Sequence, residues 1–148
     1  MTDEIRTFVG EYSFLSNFYD SAVTIDGKHF STSEHAFQAY KTLDGEWFEN
    51  IRTARSAGVA KRLGREAPLR KDWENIKDEI MLKCLRAKFG NPELKQMLLD
   101  TGDAQLVEGN DWHDGYWGVC RCSKHGGKGK NMLGRLLMQV RQELNHDV

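Results

Sequence analysis

Apolar residues recur at helical spacing over most of the chain. Trp73, Ile76, Ile80, Cys84 and Ala87 form one stripe, with Met81 and Leu85 beside it, so the pattern predicts a helix from Asp72 to Phe89, closed by Gly90. Leu133, Leu136, Leu137, Val140 and Leu144 predict an amphipathic helix over Met132–Leu144. Phe48, Ile51 and Arg55 suggest a helix after Gly45. Val59, Ala60 and Leu63 suggest a short one ending at Gly64, and Pro68 breaks the pattern. Pro92 can open a further helix carrying Leu94, Met97 and Leu98.

Strand signals are few. Ile5–Val9 and Leu106-Val107 read as short strands. Val23–Ile25 and Lys28–Phe30 flank Asp26-Gly27, a hairpin signal because a type I′ turn needs positive φ at both central residues. Ser31 with Glu34 three residues on has the form of a capping box, so a helix should run from about Thr32 to Leu43. The predicted fold is α+β and helix-dominated: a small N-terminal β-hairpin packed on a multihelical single domain spanning residues 1–148, without repeat or linker.

Composition narrows the classes. The chain has 148 residues, 39% hydrophobic and 29% charged, enough for a core without staples. No apolar run approaches the ~20 residues that cross a bilayer. No basic-then-apolar leader opens the chain. Three cysteines are too few for a secreted disulfide framework. A cytoplasmic protein is expected, with no membrane partner and no cofactor.

The net charge of −1 hides segregation. Arg52–Lys71 carries seven basic residues and one acid; Val119–Gln142 carries six and none; Asp103–Gly118 holds four acids and no Lys or Arg. Such stretches can hold phosphates through local potential, or can be ordinary solvated faces.

Three constellations could carry chemistry. On the helix after the hairpin, Gln38 lies roughly 40° and Lys41 roughly 20° from Glu34 about the axis. A carboxylate, an amide and an amine thus share one face, either as a catalytic group or as a plain polar face with Glu34 completing the cap. The second lies in Asn110–Asn131, expected to be mostly irregular, where Asp111–Gly118 mixes acids with aromatics and Gly126–Asn131 is glycine- and lysine-rich. Backbone amides near Gly127 and Gly129, with Lys130, could bind phosphate; a flexible glycine loop is the competing reading. In the third, His113, Cys120, Cys122 and His125 lie within thirteen residues. Cys-x-Cys with isolated histidines is poor zinc spacing, so two loop thiols and no metal are expected. Trp73 and Trp117 could stack on a base, although Trp73 also suits the core. Ser16-Asn17-Phe18-Tyr19 suits a pocket rim or a turn.

Taken together and in order, these segments resemble the NADAR domain family and its YbiA-like branch, over roughly Thr7 to Leu144. The resemblance rests on Phe14–Phe18, Ser33-Glu34-His35 continuing to Phe37-Gln38-Ala39 and Lys41, Pro68-Leu69-Arg70 with Trp73, Tyr116-Trp117-Gly118, and Gly127–Asn131 with Leu133-Gly134. One segment departs from it: Val119–Lys124 stands where many relatives read a short acidic-glycine link.

The resemblance implies an N-glycosidase acting on ribose-linked bases, above all reactive riboflavin-pathway aminopyrimidines carrying ribose 5-phosphate. It also leaves open removal of ADP-ribose from modified guanine, in nucleic acid or free, or a non-catalytic module that binds ADP-ribose or NAD. The family's catalytic carboxylate falls on Glu34, its acid on Asp114, and its helix lysine, a Schiff-base candidate, on Lys41. Ser16, Asn17, Phe18, His35, Gln38, Trp73, Trp117, Gly118, Gly127, Gly129, Lys130 and Asn131 become the expected substrate contacts.

Overall fold

The computed structural model describes residues 3–146, so the ends of the predicted 1–148 domain lie outside the described residues. The chain forms two compact units, residues 17–90 and residues 1–16 with 91–148.

The central unit opens with β1′s successor in the chain, the hairpin of β2 (Val23–Ile25) and β3 (Lys28–Phe30), where β1 denotes the earlier strand Glu4–Ile5. The hairpin is antiparallel, with Val23 opposite Phe30. Asp26 and Gly27 both take positive φ, 53° and 77°, as a type I′ turn requires. Val23, Ile25 and Phe30 point inward. Four helices complete the unit: α1 (Ser33–Ala39), α2 (Gly45–Arg52), α3 (Ala57–Glu66) and α4 (Trp73–Lys88). α1 packs against α2, α3 and α4 and is buried along its whole length.

Three details correct the sequence reading here. The cap of α1 is Thr32, not Ser31: the Thr32 hydroxyl accepts from the His35 amide at 3.2 Å, while Ser31 is exposed. Glu34 is therefore not spent in a capping box. α1 stops at Ala39 rather than about Leu43. α3 runs through Gly64 instead of ending there, because Gly64 lies against Gln38; a Cβ on it would come within 2.0 Å of Gln38 Oε1. In α4 the buried stripe is Trp73, Met81, Cys84, Leu85 and Lys88, whereas Ile76, Ile80 and Ala87 are half-buried.

The other unit pairs β1 with β4 (Gln105–Leu106) and β5 (Gly109–Asn110) with β6 (Val119–Cys120), both parallel. Gly10–Leu15 is a 3-10 helix, so the expected strand Ile5–Val9 reduces to Glu4–Ile5. α5 (Pro92–Leu99) starts under an Asn91 cap, and α6 (Met132–His146) buries Leu133, Leu136, Leu137 and Val140, with Leu144 half-buried. The expected irregular stretch Asn110–Asn131 thus contains paired backbone. The helix-dominated α+β class holds. Among the described residues, no helix is long and apolar enough to cross a membrane.

Candidate active site

Helix α1 is set by its first turn. The Asn17 carbonyl accepts from the Glu34 amide at 3.1 Å, and the Asn17 side chain accepts from Ser33 Oγ at 2.9 Å while donating to Met81 Sδ at 3.3 Å. Asn17 therefore fixes the helix start rather than forming a free rim. His35 is also committed. Its Nε2 meets the Ala54 carbonyl at 2.9 Å, so that nitrogen carries the proton; its Nδ1 accepts from Thr32 Oγ1 at 2.8 Å. Fully buried and with both nitrogens engaged, His35 positions the helix and does not serve as the expected substrate contact.

Glu34 is only 6% exposed. Gln38, one turn on, donates from Nε2 to Glu34 Oε2 at 2.6 Å, which places the carboxylate and amide together as the helical spacing predicts. The Gln38 carbonyl oxygen is buried without a protein partner, at the point where Gly64 leaves room for it. A buried polar oxygen left in this state is expensive in a purely structural element.

Lys41 lies just past the helix. Its amide donates to the Gln38 backbone carbonyl, whereas the unpartnered oxygen is the side-chain Oε1, and its Nζ stands 5.8 Å from the centre of the Phe37 ring. Burial pushes its ammonium below the ordinary lysine value; Glu34 pulls it back, and the cations Arg65 and Lys61 of α3 push it down again. A lysine pushed this way gives up its proton more readily, which favours the amine, the form that attacks carbon. In the sequence Arg65 and Lys61 stand out only as part of a basic stretch.

Trp73 is core: 5% exposed, its ring 5.2 Å from that of Phe37. It braces the helix that bears Glu34 and is not open to stack on a base. Phe18 is 46% exposed, with Lys61 Nζ 5.8 Å from its ring centre. Lys88 is a further residue that the sequence did not single out. It is fully buried between the rings of Tyr19 and Phe89, and burial pushes its amine down to about 7. Two open concavities of the same unit, of about 400 and 450 Å³, are lined by Thr42, Leu43 and Arg70 among others and do not include Glu34, Gln38 or Lys41.

The remaining expected residues belong to the other unit. Ser16 follows its 3-10 helix. Asp114 Oδ1 accepts from the Tyr116 and Trp117 amides at 3.1 and 2.9 Å, so this carboxylate holds a turn instead of standing ready as an acid. Trp117 is half-buried and edge-on to Tyr116, and Lys130 Nζ stands 5.5 Å from the Tyr116 ring centre. Asn131 is tied on both sides, accepting from the Glu108 amide and donating to the Leu106 carbonyl.

Most of the amides expected to cradle phosphate are engaged within the loop. The amides of Gly127, Lys128, Lys130 and Asn131 donate to the carbonyls of Cys120, His125, Gly115 and Gly118. The first amides of α6, on Met132 and Leu133, donate to Tyr116 and Trp117. The glycines serve close packing: a Cβ on Gly129 would lie 2.2 Å from the Gly118 carbonyl, and one on Gly118 would meet Glu108. Lys128, Gly129 and Lys130 are all exposed. The four loop donors, by contrast, are brought together. His113, Cys120, Cys122 and His125 offer ligand atoms all within 4.8 Å of one another.

A buried glutamate anchored by a glutamine, beside a lysine whose amine burial pushes below its ordinary value, suits an enzyme acting on an electrophilic carbon. The comparisons with known proteins agree. The NADAR domain model matches residues 6–145. The chain is 47% identical, over 97% of its length and 91% of the relative's, to N-glycosidase YbiA of Escherichia coli (strain K12). It is 40% identical, over 90% of its length, to a riboflavin biosynthesis protein of Vibrio vulnificus (strain YJ016), of which it spans 36%. The NMR structure of the Escherichia coli protein YbiA superposes with a TM-score of 0.84 at 44% identity, covering 99% of this chain and 88% of that one. The chain belongs to the NADAR domain family, among the YbiA-like N-glycosidases, a group of hydrolases acting on N-glycosyl bonds.

Proposed function

We propose that this protein hydrolyses the N-glycosidic bond between a base and ribose phosphate, with aminopyrimidine ribosyl phosphates of riboflavin synthesis as its substrates. The observation that carries the reading is the pairing of buried Glu34, anchored by Gln38, with Lys41, whose proton is loosened by burial and by Arg65 and Lys61. The names of the relatives support the bond type and the riboflavin connection.

In this mechanism the free Lys41 amine attacks the anomeric carbon of the ribose. The C1′–N bond to the base breaks, its electron pair leaves with the base, and the base takes up a proton. Glu34 stabilises the positive charge that grows on the sugar. The C1′–O4′ bond of the lysine-bound sugar then opens, O4′ taking up a proton, to give a sugar–lysine iminium, and Glu34 takes a proton from the water that adds to it. Ribose 5-phosphate is released and Lys41 is regenerated. General acid–base assistance of this kind contributes roughly 10²–10⁴-fold. The reaction is assigned to the cytoplasm, in keeping with three free cysteines.

Glu34→Gln keeps the size of the buried side chain. It is expected to lower kcat by about 10²–10⁴-fold with an unchanged circular dichroism spectrum. Borohydride added during turnover should trap the sugar on the peptide containing Lys41. Release of base by Glu34→Gln at the wild-type rate would overturn the assignment. Faster turnover of ADP-ribosylated guanosine than of the aminopyrimidine riboside phosphate would keep the bond type and replace the substrate.

A further inference from the structure

Between β5 and α6 the chain makes a long excursion whose outer residues, Ser123, Lys124 and Gly126–Lys130, are exposed. Little apolar surface holds it in place. Four side chains nonetheless turn toward one point: His113 and His125, each through Nδ1, and Cys120 and Cys122 through Sγ. His113 reaches it from a left-handed backbone conformation (φ 70°), unfavourable for a residue with a Cβ. The two imidazole rings stand 5.1 Å apart at 64°.

We propose that His113, Cys120, Cys122 and His125 form a four-coordinate structural zinc site that fixes the loop bearing Lys128 and Lys130. The separations carry the argument. With Zn–S near 2.3 Å and Zn–N of about 2.0–2.1 Å, a regular tetrahedron has edges of about 3.3 Å for N···N, about 3.6 Å for S···N and about 3.8 Å for S···S. The two Nδ1 atoms are 3.3 Å apart. Three S···N separations are 3.8, 3.5 and 3.0 Å. The two sulfurs, at 3.1 Å, need to part by about 0.7 Å to reach the tetrahedral edge. A soft divalent cation satisfies the lone pairs of two imidazole nitrogens and two sulfurs facing one centre at once. The N₂S₂ donor set selects zinc over magnesium or calcium, which take oxygen ligands.

The surrounding backbone is built for thiolate. The His125 amide points at Cys122 Sγ, 3.3 Å away, across a turn closed by the Gly126 amide on the Cys122 carbonyl at 2.9 Å. Such amide–sulfur bonds orient a metal-bound cysteine and disperse its charge. Cys120 sits in β6 and exchanges backbone bonds with Lys128 and Gly127, so a metal on Cys120 and Cys122 is bonded directly into the glycine–lysine loop. With four protein ligands no position is left for substrate, which makes the role structural. The sequence reading weighed the spacing and expected no metal. His-x₆-Cys-x-Cys-x₂-His matches no paired-ligand pattern, and the loop's own fold is what closes the distances.

This inference is independent of the proposed reaction. Tag-free protein, purified without chelator under reducing conditions, should contain about one zinc per chain by plasma mass spectrometry. Replacing the zinc with Co²⁺ should give tetrahedral d–d bands and a thiolate-to-cobalt charge-transfer band. Cys122→Ser should remove that band or weaken it severalfold, while Cys84→Ser, outside the loop, should retain it. Metal removal should speed amide exchange at Gly127 and Lys130 by at least tenfold. Reduced wild-type protein that gives no charge-transfer band with Co²⁺ overturns the site. So does a band that survives in the Cys120→Ser, Cys122→Ser double variant, or a native Cys120–Cys122 disulfide, read as a mass two units lower with no metal retained.

Discussion

Helix α1 and the loop from Gly109 to Asn131 both collect polar side chains, by opposite means. In α1 the collecting device is the helix itself. Glu34 and Gln38 meet because four residues make about one turn, and the amide reaches the carboxylate at 2.6 Å. In the loop nothing periodic operates. His113 meets Cys122 because Lys130 bonds back to Gly115, Cys120 to Lys128, and the first turn of α6 to Tyr116 and Trp117. A helix converts sequence spacing into spatial spacing by a fixed rule. A loop does so only through bonds between residues far apart in the chain.

The comparison breaks most sharply at the glycines. Gly64 faces Gln38 so closely that an added Cβ would fall 2.0 Å from Oε1, whereas Gly58 in the same helix has only Ser56 Oγ near, at 3.9 Å. Gly64→Ala should push Gln38 off Glu34. It is expected to lower kcat/KM by about 10–100-fold and to destabilise by ~1–3 kcal/mol from overpacking. Gly58→Ala should retain activity and gain up to ~1 kcal/mol from helix propensity. Steady-state kinetics and urea melts on the pair decide this, and equal behaviour of the two variants would refute the role of Gly64.

The same contrast explains what could be read from the sequence. The shared face of Glu34 and Gln38, the hairpin turn at Asp26-Gly27, and the span of α4 follow from local rules, and the structure bears them out. Gly64 looked like a helix terminator because a glycine ending a helix and a glycine making room for a neighbour are the same letter. Lys88 passed unnoticed since a lysine four residues after Cys84 reads as the edge of a stripe rather than part of it. In the loop, Gly127, expected to bare its amide to phosphate, instead spends it on the Cys120 carbonyl. Asp114, expected as an acid, caps the turn at Trp117. The bond from Lys130 back to Gly115 spans fifteen residues, which no local rule supplies. Resemblance covered the gap for the family, and residue roles still had to come from geometry.

A finer test concerns the electrostatics at Lys41. Burial and the charges of Arg65 and Lys61 hold its ammonium below the usual lysine value, with Glu34 opposing. The free amine is the attacking form, so activity should rise with pH through this depressed value. Arg65→Met removes one of the charges that depress it. The Lys41 value then climbs, the acid limb of the kcat profile moves to higher pH, and activity at neutral pH falls by a factor of a few. Lys61→Met should move the limb the same way. A limb that moves to lower pH in both variants would contradict the free-amine role. Glu34→Gln moves the limb downward if Glu34 acts on Lys41 by charge, which separates that effect from the loss of kcat.

The smallest effect tests where α1 begins. If the Ser31 capping box were present, Ser31→Ala would cost about 1 kcal/mol and Thr32→Val much less. The structure reverses the order. Thr32 Oγ1 accepts from the His35 amide and donates to His35 Nδ1, so Thr32→Val strips the cap and leaves a buried imidazole nitrogen unsatisfied. About 1–3 kcal/mol is expected from those two losses. Ser31 is exposed, and its replacement by Ala should stay within about 0.5 kcal/mol. Urea denaturation resolves such a difference, since a cost confined to one variant shifts its midpoint and leaves the slope alone. The register matters for the chemistry: a cap at Ser31 would tie the Glu34 carboxylate to the backbone, and a cap at Thr32 leaves it to Gln38. Thr32→Val protein that remains folded should therefore keep a Glu34–Gln38 pair and most of its kcat, at reduced stability. A loss of kcat equal to that of Glu34→Gln, with stability intact, would mean that the helix start does more for the site than hold it in place.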